Sequence, residues 1–390
     1  MLLTMLLRIF NFLDVRIALI FKIVALICAT IFVSSFPFLT NTEFLLNLTT
    51  YLNTDTENNF NKMIHYINKT ISNKSTGNFD VFTEPCNSSG LACTSNCSRP
   101  LSESYKDRLL DVLSSANLSL SSQELKDILS VGDSIPADDV IILSAASSNH
   151  FDEMQGMFYN LHNHVLPVLN NVTIVLFDIG LSETERNKTE KHCRCKVVRF
   201  PVEKFPPHVA NNYCYSWKPI IIRSTIEKAR KLLIYQDSSI RWTSRITDTM
   251  ARASNVGLVF FRDSRSWRIP VQTVKETFDH FGEEPCAFDP FPELTAAVSL
   301  YGRNVFNTRA LLEPLAKCAL TSHCICPPGS ESNFNCYPPK VYHGCHRFDQ
   351  SVLGMITAKL FNQDFGRVIS PYFNNEVSLQ RGDDKPTYFD

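Results

Sequence analysis

The sequence predicts an α/β domain built on a single, mostly parallel sheet flanked by helices, preceded by one transmembrane helix and a low-structure stem. Three observations carry this. From about residue 136, short apolar runs bounded by polar residues alternate with helical segments. Near the N-terminus, Ile17 to Leu39 is almost continuously apolar. Between the two lies a stretch rich in Asn, Thr and Ser.

In chain order, residues 1–16 read as a cytosolic tail and 17–39 as a signal anchor. The uncharged part, Ile23 to Phe36, is short for a span, but Lys22 sits at one end, where its aliphatic stem lies along the helix while its ammonium reaches the headgroups. Arg8, Arg16 and Lys22 all precede the apolar core, which puts the N-terminus in the cytosol and the rest in the lumen, as in a single-pass type II protein of the Golgi or endoplasmic reticulum. A cleaved signal peptide ending at Val33-Ser34-Ser35 is the competing reading.

Residues 40–135 read as a glycosylated stem whose composition buries little. Within it, Tyr105 to Leu113 and Gln123 to Leu129 are amphipathic patches suited to short helices. The acceptor tripeptide Asn-x-Ser/Thr occurs at Asn47, Asn68, Asn73, Asn87, Asn96, Asn117, Asn171 and Asn187. Of the 13 cysteines, Cys28 lies in the apolar run and the other 12 make an even set. Both features suit an oxidising compartment. Cys86, Cys93 and Cys97 suggest a local knot or a tie to the main domain.

Residues 136–390 read as the lumenal domain. Predicted strands are Asp139-Val-Ile-Ile-Leu-Ser144, Val172-Thr-Ile-Val-Leu-Phe177, Cys195-Lys-Val-Val-Arg-Phe200, Leu232-Leu-Ile-Tyr235, Gly257-Leu-Val-Phe-Phe261 and Ala296-Ala-Val-Ser-Leu-Tyr301. Phe151 to Leu166, Lys218 to Lys231 and Phe348 to Phe361 read as helices, with Pro219 suited to a first turn. Ligands of open α/β sheets sit at the carboxyl ends of strands, where Asp178 and Asp237 fall. A strand-end Asp is more commonly a turn former or helix cap.

Three pieces, in order, resemble the glycosyltransferase A fold, a Rossmann-like arrangement. Trp217-Lys-Pro-Ile-Ile-Ile-Arg223 followed by Leu232-Leu-Ile-Tyr-Gln-Asp-Ser-Ser-Ile-Arg241 resembles a lysine-bearing helix leading to a strand that ends in an acidic Asp-x-Asp motif. Glu293-Leu-Thr-Ala-Ala-Val-Ser-Leu-Tyr301 resembles the later strand behind the acceptor pocket, and His346-Arg-Phe-Asp-Gln-Ser351 resembles the late Asp-Gln element. The chain is also similar to a nematode-type family of type II membrane proteins with glycosyltransferase-like domains.

The resemblance implies a nucleotide-sugar donor and a glycan or glycoprotein acceptor. It implies donor binding by Asp237, Ser239 and Lys218, and roles for Asp349 and Glu293 in the catalytic pocket. Asp178, by its strand-end position, and Trp242, whose ring suits stacking on a sugar, join the donor-binding candidates on their own account. It implies Mn²⁺ or Mg²⁺ at Asp237, since a divalent cation neutralises a leaving diphosphate. The sequence departs from the motif there: Asp237-Ser238-Ser239 supplies one carboxylate where the family has two. Cations of the protein, with Lys218, Arg223 and Arg241 as candidates, are the alternative to a metal. The same departure favours the rival function, a non-catalytic glycan- or protein-binding protein on the same fold.

Other constellations weigh less. His192, Cys193 and Cys195, with His323, Cys324, Cys326, Cys336, His343, Cys345 and His346, invite a zinc reading, but the spacings are not those of zinc modules and disulfides suit the compartment better. Residues 318–345 then read as a stapled loop beside the pocket. Of the three tryptophans, Trp242 follows the acidic strand end most closely, ahead of Trp217 and Trp267. A net charge of -1 gives no basic field for nucleic acid, and no Gly-x-Ser-x-Gly, Walker or Gly-x-Gly-x-x-Gly motif is present.

Overall fold

The computed structural model describes residues 58–69, 97, 99–263, 267–336, 342–370, 375–382 and 384–390. The apolar stretch 17–39, the sequons at Asn47, Asn73, Asn87 and Asn96, and Cys86 and Cys93 lie outside the described residues. Among the described residues, no helix is long and apolar enough to cross a membrane.

The sheet has seven strands in the order β3-β2-β1-β4-β7-β6-β8. They are β1 (Asp138–Ala146), β2 (Val172–Asp178), β3 (Lys196–Arg199), β4 (Ala229–Gln236), β6 (Leu258–Arg262), β7 (Leu294–Gly302) and β8 (Ile369–Ser370). A separate pair joins β5 (Ile240–Trp242) to β9 (Val377–Leu379). Within the large sheet β7 alone runs against the rest, pairing antiparallel with both β4 and β6, while the β1–β2, β2–β3, β1–β4 and β6–β8 pairs are parallel.

The apolar runs are continuous because both faces of the sheet are covered. Along β1, Ile141, Leu143 and Ala145 enter one core while Ile142 and Ala146 enter the other. The longer helices are α1 (58–69), α2 (Tyr105–Ser114), α3 (Ser122–Val131), α4 (Phe151–Asn160), α5 (Glu183–His192), α6 (Trp217–Thr225), α7 (Ile246–Val256), α8 (Lys275–Phe281), α9 (Glu313–Ala319) and α10 (Asp349–Phe361). The first core takes side chains from α2, α3, α6, α9 and α10, and the second takes them from α4, α7 and the C-terminal Phe389.

The two amphipathic patches within 40–135 form α2 and α3. Leu109, Val112, Ile128 and Val131 are buried in the first core, so this part of the segment packs against the sheet domain. Cys97 is joined to Cys286, which ties the start of that region to the domain covalently. The helix expected over Lys218 to Lys231 stops at Thr225, because Ala229 to Lys231 are taken into β4. There Arg230 and Lys231 reach Asp139 at the foot of β1.

The connections position the site. The chain leaves β1 toward β2 and β3, then returns to place β4 on the other side of β1. Strand order therefore reverses between β1 and β4, and loops leaving their carboxyl ends diverge to open a crevice. Ser147 follows β1 and Asp237 follows β4 on its two sides. Because β7 is antiparallel, its amino end, Thr295 to Ala297, meets the carboxyl end of β4 at the same edge.

Candidate active site

A cavity of about 640 Å³ opens at this edge. Its floor holds a buried ionic triad. Asp237 is held as β4 ends, its N–H donating to the Ala297 carbonyl at 2.7 Å and its own carbonyl accepting from Ile240 at 3.1 Å. The Tyr235 hydroxyl donates to Asp237 Oδ1 at 2.6 Å. Lys218, in the first turn of α6, sends its ammonium 3.2 Å from Asp237 Oδ1 and 2.8 Å from Asp349 Oδ2, and donates to the Ala296 carbonyl at 3.3 Å. The rings of Tyr215, Trp217 and Tyr235 surround it, with centroids 5.1–5.8 Å away.

Burial differs across the triad. The Lys218 and Asp349 side chains are 5% and 8% exposed, whereas Asp237 keeps 32% and is reachable from the cavity. Burial would lower the Lys218 pKa, but the two carboxylates outweigh it and hold the ammonium above its ordinary range. For Asp349 burial wins: its carboxyl is raised although Lys218 pulls it down. One ammonium shared by two carboxylates cannot compensate both fully, and the more buried one bears the cost.

Asp349 opens α10 and follows Phe348, a non-glycine residue at φ 51° and ψ −117°. Tyr215, just before α6, is left-handed at φ 52°. Both rings line the cavity, with centroids 6.0 Å apart. Such backbone costs of order 1–3 kcal/mol per residue and gathers at functional sites. Cys214 is joined to Cys326, Cys318 to Cys324 and Cys336 to Cys345. The expected stapled loop thus lies beside the cavity, with Glu331 and Phe334 in its wall. Among the described cysteines, Cys193 and Cys195 also pair with each other, so the sulfurs of the zinc-like clusters are spent in disulfides.

The structure brings Lys218, Asp237, Ser239 and Asp349 to one cavity. It keeps three other expected residues out of the lining. Asp178 Oδ1 accepts from the N–H groups of Gly180 and Leu181 at 2.9 and 2.7 Å, and its Oδ2 accepts from Arg186 at 3.1 Å, which braces the loop after β2. Trp242 is buried in the second core and donates to Gln236 Oε1 at 2.7 Å. Glu293 lies fully buried just before β7. Of the other candidate cations, Arg223 pairs with Glu227 and Glu313, and Arg241 with Asp384. Trp217 lines the cavity and Trp267 packs with the Cys336–Cys345 disulfide. Sequence reasoning missed Tyr215, Asp263 and Arg347, which also line it; Tyr215 and Asp263 stand in no motif, and Arg347 lies inside the His346–Ser351 segment without having been singled out. The described sequon residues Asn68, Asn117, Asn171 and Asn187 are all exposed.

Around Asp237 the protein offers a divalent ion one reachable carboxylate, with Ser239 only 2% exposed. Among the described residues, the one group of three His, Cys, Asp or Glu close enough to cage an ion is Cys97, Glu284 and Cys286, and its sulfurs form a disulfide. The donor set around Asp237 therefore fits a Mg²⁺- or Mn²⁺-like ion only when ligand phosphates and water complete the coordination, a common arrangement for hard cations. Five carboxylates line the cavity against three permanent cations, so a diphosphate arriving with a cation is better matched than one arriving alone.

Burial pushes the Glu293 carboxyl well above its usual range, with Asp263 adding to the effect. A raised acid holds its proton in the folded state to higher pH than in the unfolded one. Stability then falls as pH climbs from the ordinary Glu value toward the folded one. Glu293→Gln is expected to melt higher than the parent at pH 8 and level with it near pH 4. Scanning calorimetry at both values checks this, and equal melting at pH 8 removes the assignment of a protonated Glu293.

A family model described as "Protein of unknown function (DUF1647)" matches residues 69–223. No curated protein matches the chain at a significant level. Among solved structures, the chain is similar to the bifunctional glycosyltransferase WbbM at 11% identity, over 62% of this chain and 40% of that one, with a TM-score of 0.34. The chain thus spans about two fifths of that protein. It is similar to the galactosyltransferase LgtC at 12% identity, over 64% and 93% of the two chains, with a TM-score of 0.37. Mouse xyloside xylosyltransferase 1 is 14% identical over 60% and 83%, with a TM-score of 0.34.

Proposed function

We propose that the cavity transfers a glycosyl group from a nucleotide-sugar to a hydroxyl of a glycan or glycoprotein. The observation that carries this is the buried Asp237–Lys218–Asp349 triad at the strand-order reversal, where an α/β sheet presents bound ligands. The motif order in the sequence supports it. In such a transfer the bond from the anomeric carbon to the diphosphate breaks and the diphosphate leaves with the electron pair. A bond forms to the acceptor oxygen, whose proton passes to a base.

Asp237, the reachable carboxylate, would hold a Mg²⁺ or Mn²⁺ ion together with the donor phosphates; the ion neutralises the leaving diphosphate. Lys218 fixes Asp237 and Asp349 relative to one another. Asp349, its carboxyl raised by burial, is the base we propose for the acceptor proton. The chain is further proposed to work in the secretory pathway, anchored through residues 17–39. Disulfides among the described residues and exposed sequon asparagines support that placement.

The single carboxylate in Asp237-Ser238-Ser239 favours one other reading, a non-catalytic lumenal or cell-surface protein that holds a glycan or protein partner. A melting-temperature screen of the full chain against UDP, GDP and CMP, with and without Mn²⁺, separates the two. A ligand at 100 times its Kd stabilises the folded state by ~2.7 kcal/mol. Transfer predicts a rise with one nucleotide, larger with Mn²⁺. A folded protein that shifts with none of them belongs to the binding reading.

A further inference from the structure

Two cations of the cavity lie outside the triad, Arg381, which is exposed, and Arg347. The second of these, Arg347, is the more enclosed. It lies half-buried in the wall, two residues before Asp349. Its backbone is fixed: the Arg347 N–H donates to the Gln272 carbonyl at 3.1 Å and lies 3.2 Å from Ser351 Oγ, and its own carbonyl accepts from Gln350 at 3.0 Å. Its side chain is different. Arg108, Arg186, Arg223, Arg241, Arg252 and Arg268, all buried or half-buried, give guanidinium N–H groups to carboxylates or backbone carbonyls. Among the described residues, Arg347 has no such acceptor and no carboxylate within ion-pair range.

The lack of a partner is not for want of nearby anions. Burial raises Asp349, Glu293 and Tyr215, and the Arg347 charge acts through space against that rise at each of them, so its charge sits near the acidic wall. Asp349 takes its direct partner from Lys218 instead. A guanidinium presents a planar fork of donors that matches an oxyanion. Holding that fork open to a cavity, beside carboxylates it does not grip, leaves its donors for an anion that arrives with a ligand.

We propose that Arg347 is the oxyanion receptor of this cavity, binding the diphosphate of the donor. An acidic sugar on the acceptor would offer the same chemistry. The receptor role stands on the geometry; the choice of a donor diphosphate rests on the glycosyl-transfer reading.

Titration calorimetry of the full chain with inorganic pyrophosphate, UDP, GDP, glucuronate and glucose tests it, in the parent and in Arg347→Ala and Arg347→Lys. Losing a charge-assisted fork costs about tenfold or more in affinity. Arg347→Ala is expected to weaken pyrophosphate by that much and leave glucose unchanged, and Arg347→Lys is expected to recover part of the loss. The lysine variant also serves should the alanine variant fail to fold. A loss confined to glucuronate upholds the receptor and moves its anion to the acceptor. Pyrophosphate binding that depends on Arg347, with no gain for UDP or GDP, upholds the receptor and removes the nucleotide-sugar reading. A parent that binds neither pyrophosphate nor glucuronate, or variants with unchanged affinity for both, overturns the proposal.

Discussion

Asp237→Asn is expected to lower transfer by on the order of 10²–10³-fold while leaving the fold intact, the size of loss seen when one preorganised charge-stabilising group is removed from a site. The amide keeps an oxygen for the Tyr235 hydroxyl, so the local turn survives. Lys218 retains Asp349 at 2.8 Å, and Asp237 is already 32% exposed, so the change in stability should stay near about 1 kcal/mol. The pair of readings matters: kcat/KM for the donor falls and the melting temperature barely moves. A folded Asp237→Asn protein with parental turnover would take Asp237 out of the chemistry.

Lys218→Met is expected to have the largest effect on stability. It removes the ammonium at the centre of the triad and leaves Asp349 buried beside Asp237 with no cation in direct contact. Removing one partner of a buried ion pair costs about 3–5 kcal/mol, which corresponds to roughly 10 °C or more at ~2–4 °C per kcal/mol. The sign of its pH dependence follows from the raised Lys218 and Asp349 pKa values. The Lys218 contribution is complete below the ordinary lysine range and is lost only as pH rises through the higher folded value. The damage in the variant comes from ionised Asp349, so it should shrink as pH falls toward 4 and that carboxyl takes a proton. Thermal melts at pH 4.5 and 7.5 read this directly, and adding Asp349→Asn to Lys218→Met should restore most of the loss at pH 7.5. A penalty equal at both pH values would contradict the triad.

Much of this was legible in the residues. The runs read as strands at 139–144, 172–177, 195–200, 232–235, 257–261 and 296–301 all lie in or overlap β1 to β4, β6 and β7. Burial on both faces makes such runs continuous and easy to see. Direction was not legible: nothing in Glu293 to Tyr301 marks β7 as the reversed strand, because reversal is decided by where the chain re-enters the sheet. Asp237, Lys218 and Asp349 each stood out singly, by motif or strand end. That one ammonium joins both carboxylates is a fact of tertiary packing, with 130 residues of chain between Lys218 and Asp349. Asp178 and Trp242 looked like site residues because they sit at or just beyond strand ends. The backbone N–H groups after β2 and the Gln236 amide oxygen claimed them first. Arg347 lay inside the His346–Ser351 segment yet went unmarked for the opposite reason, since its distinction is the lack of a side-chain partner.

The Cys214–Cys326 disulfide joins the turn carrying Tyr213 and Tyr215 to the loop that leads to Phe334, and all three rings face the cavity. Asp237 and Asp349 stand after a strand end and at a helix start, outside the two segments that this bond joins. Material made in a reducing cytoplasm, or assayed in dithiothreitol, would lose the covalent tie between these two walls of the cavity, together with the stability that such bonds carry. The choice of expression host and buffer is for this protein a choice about the shape of that cavity.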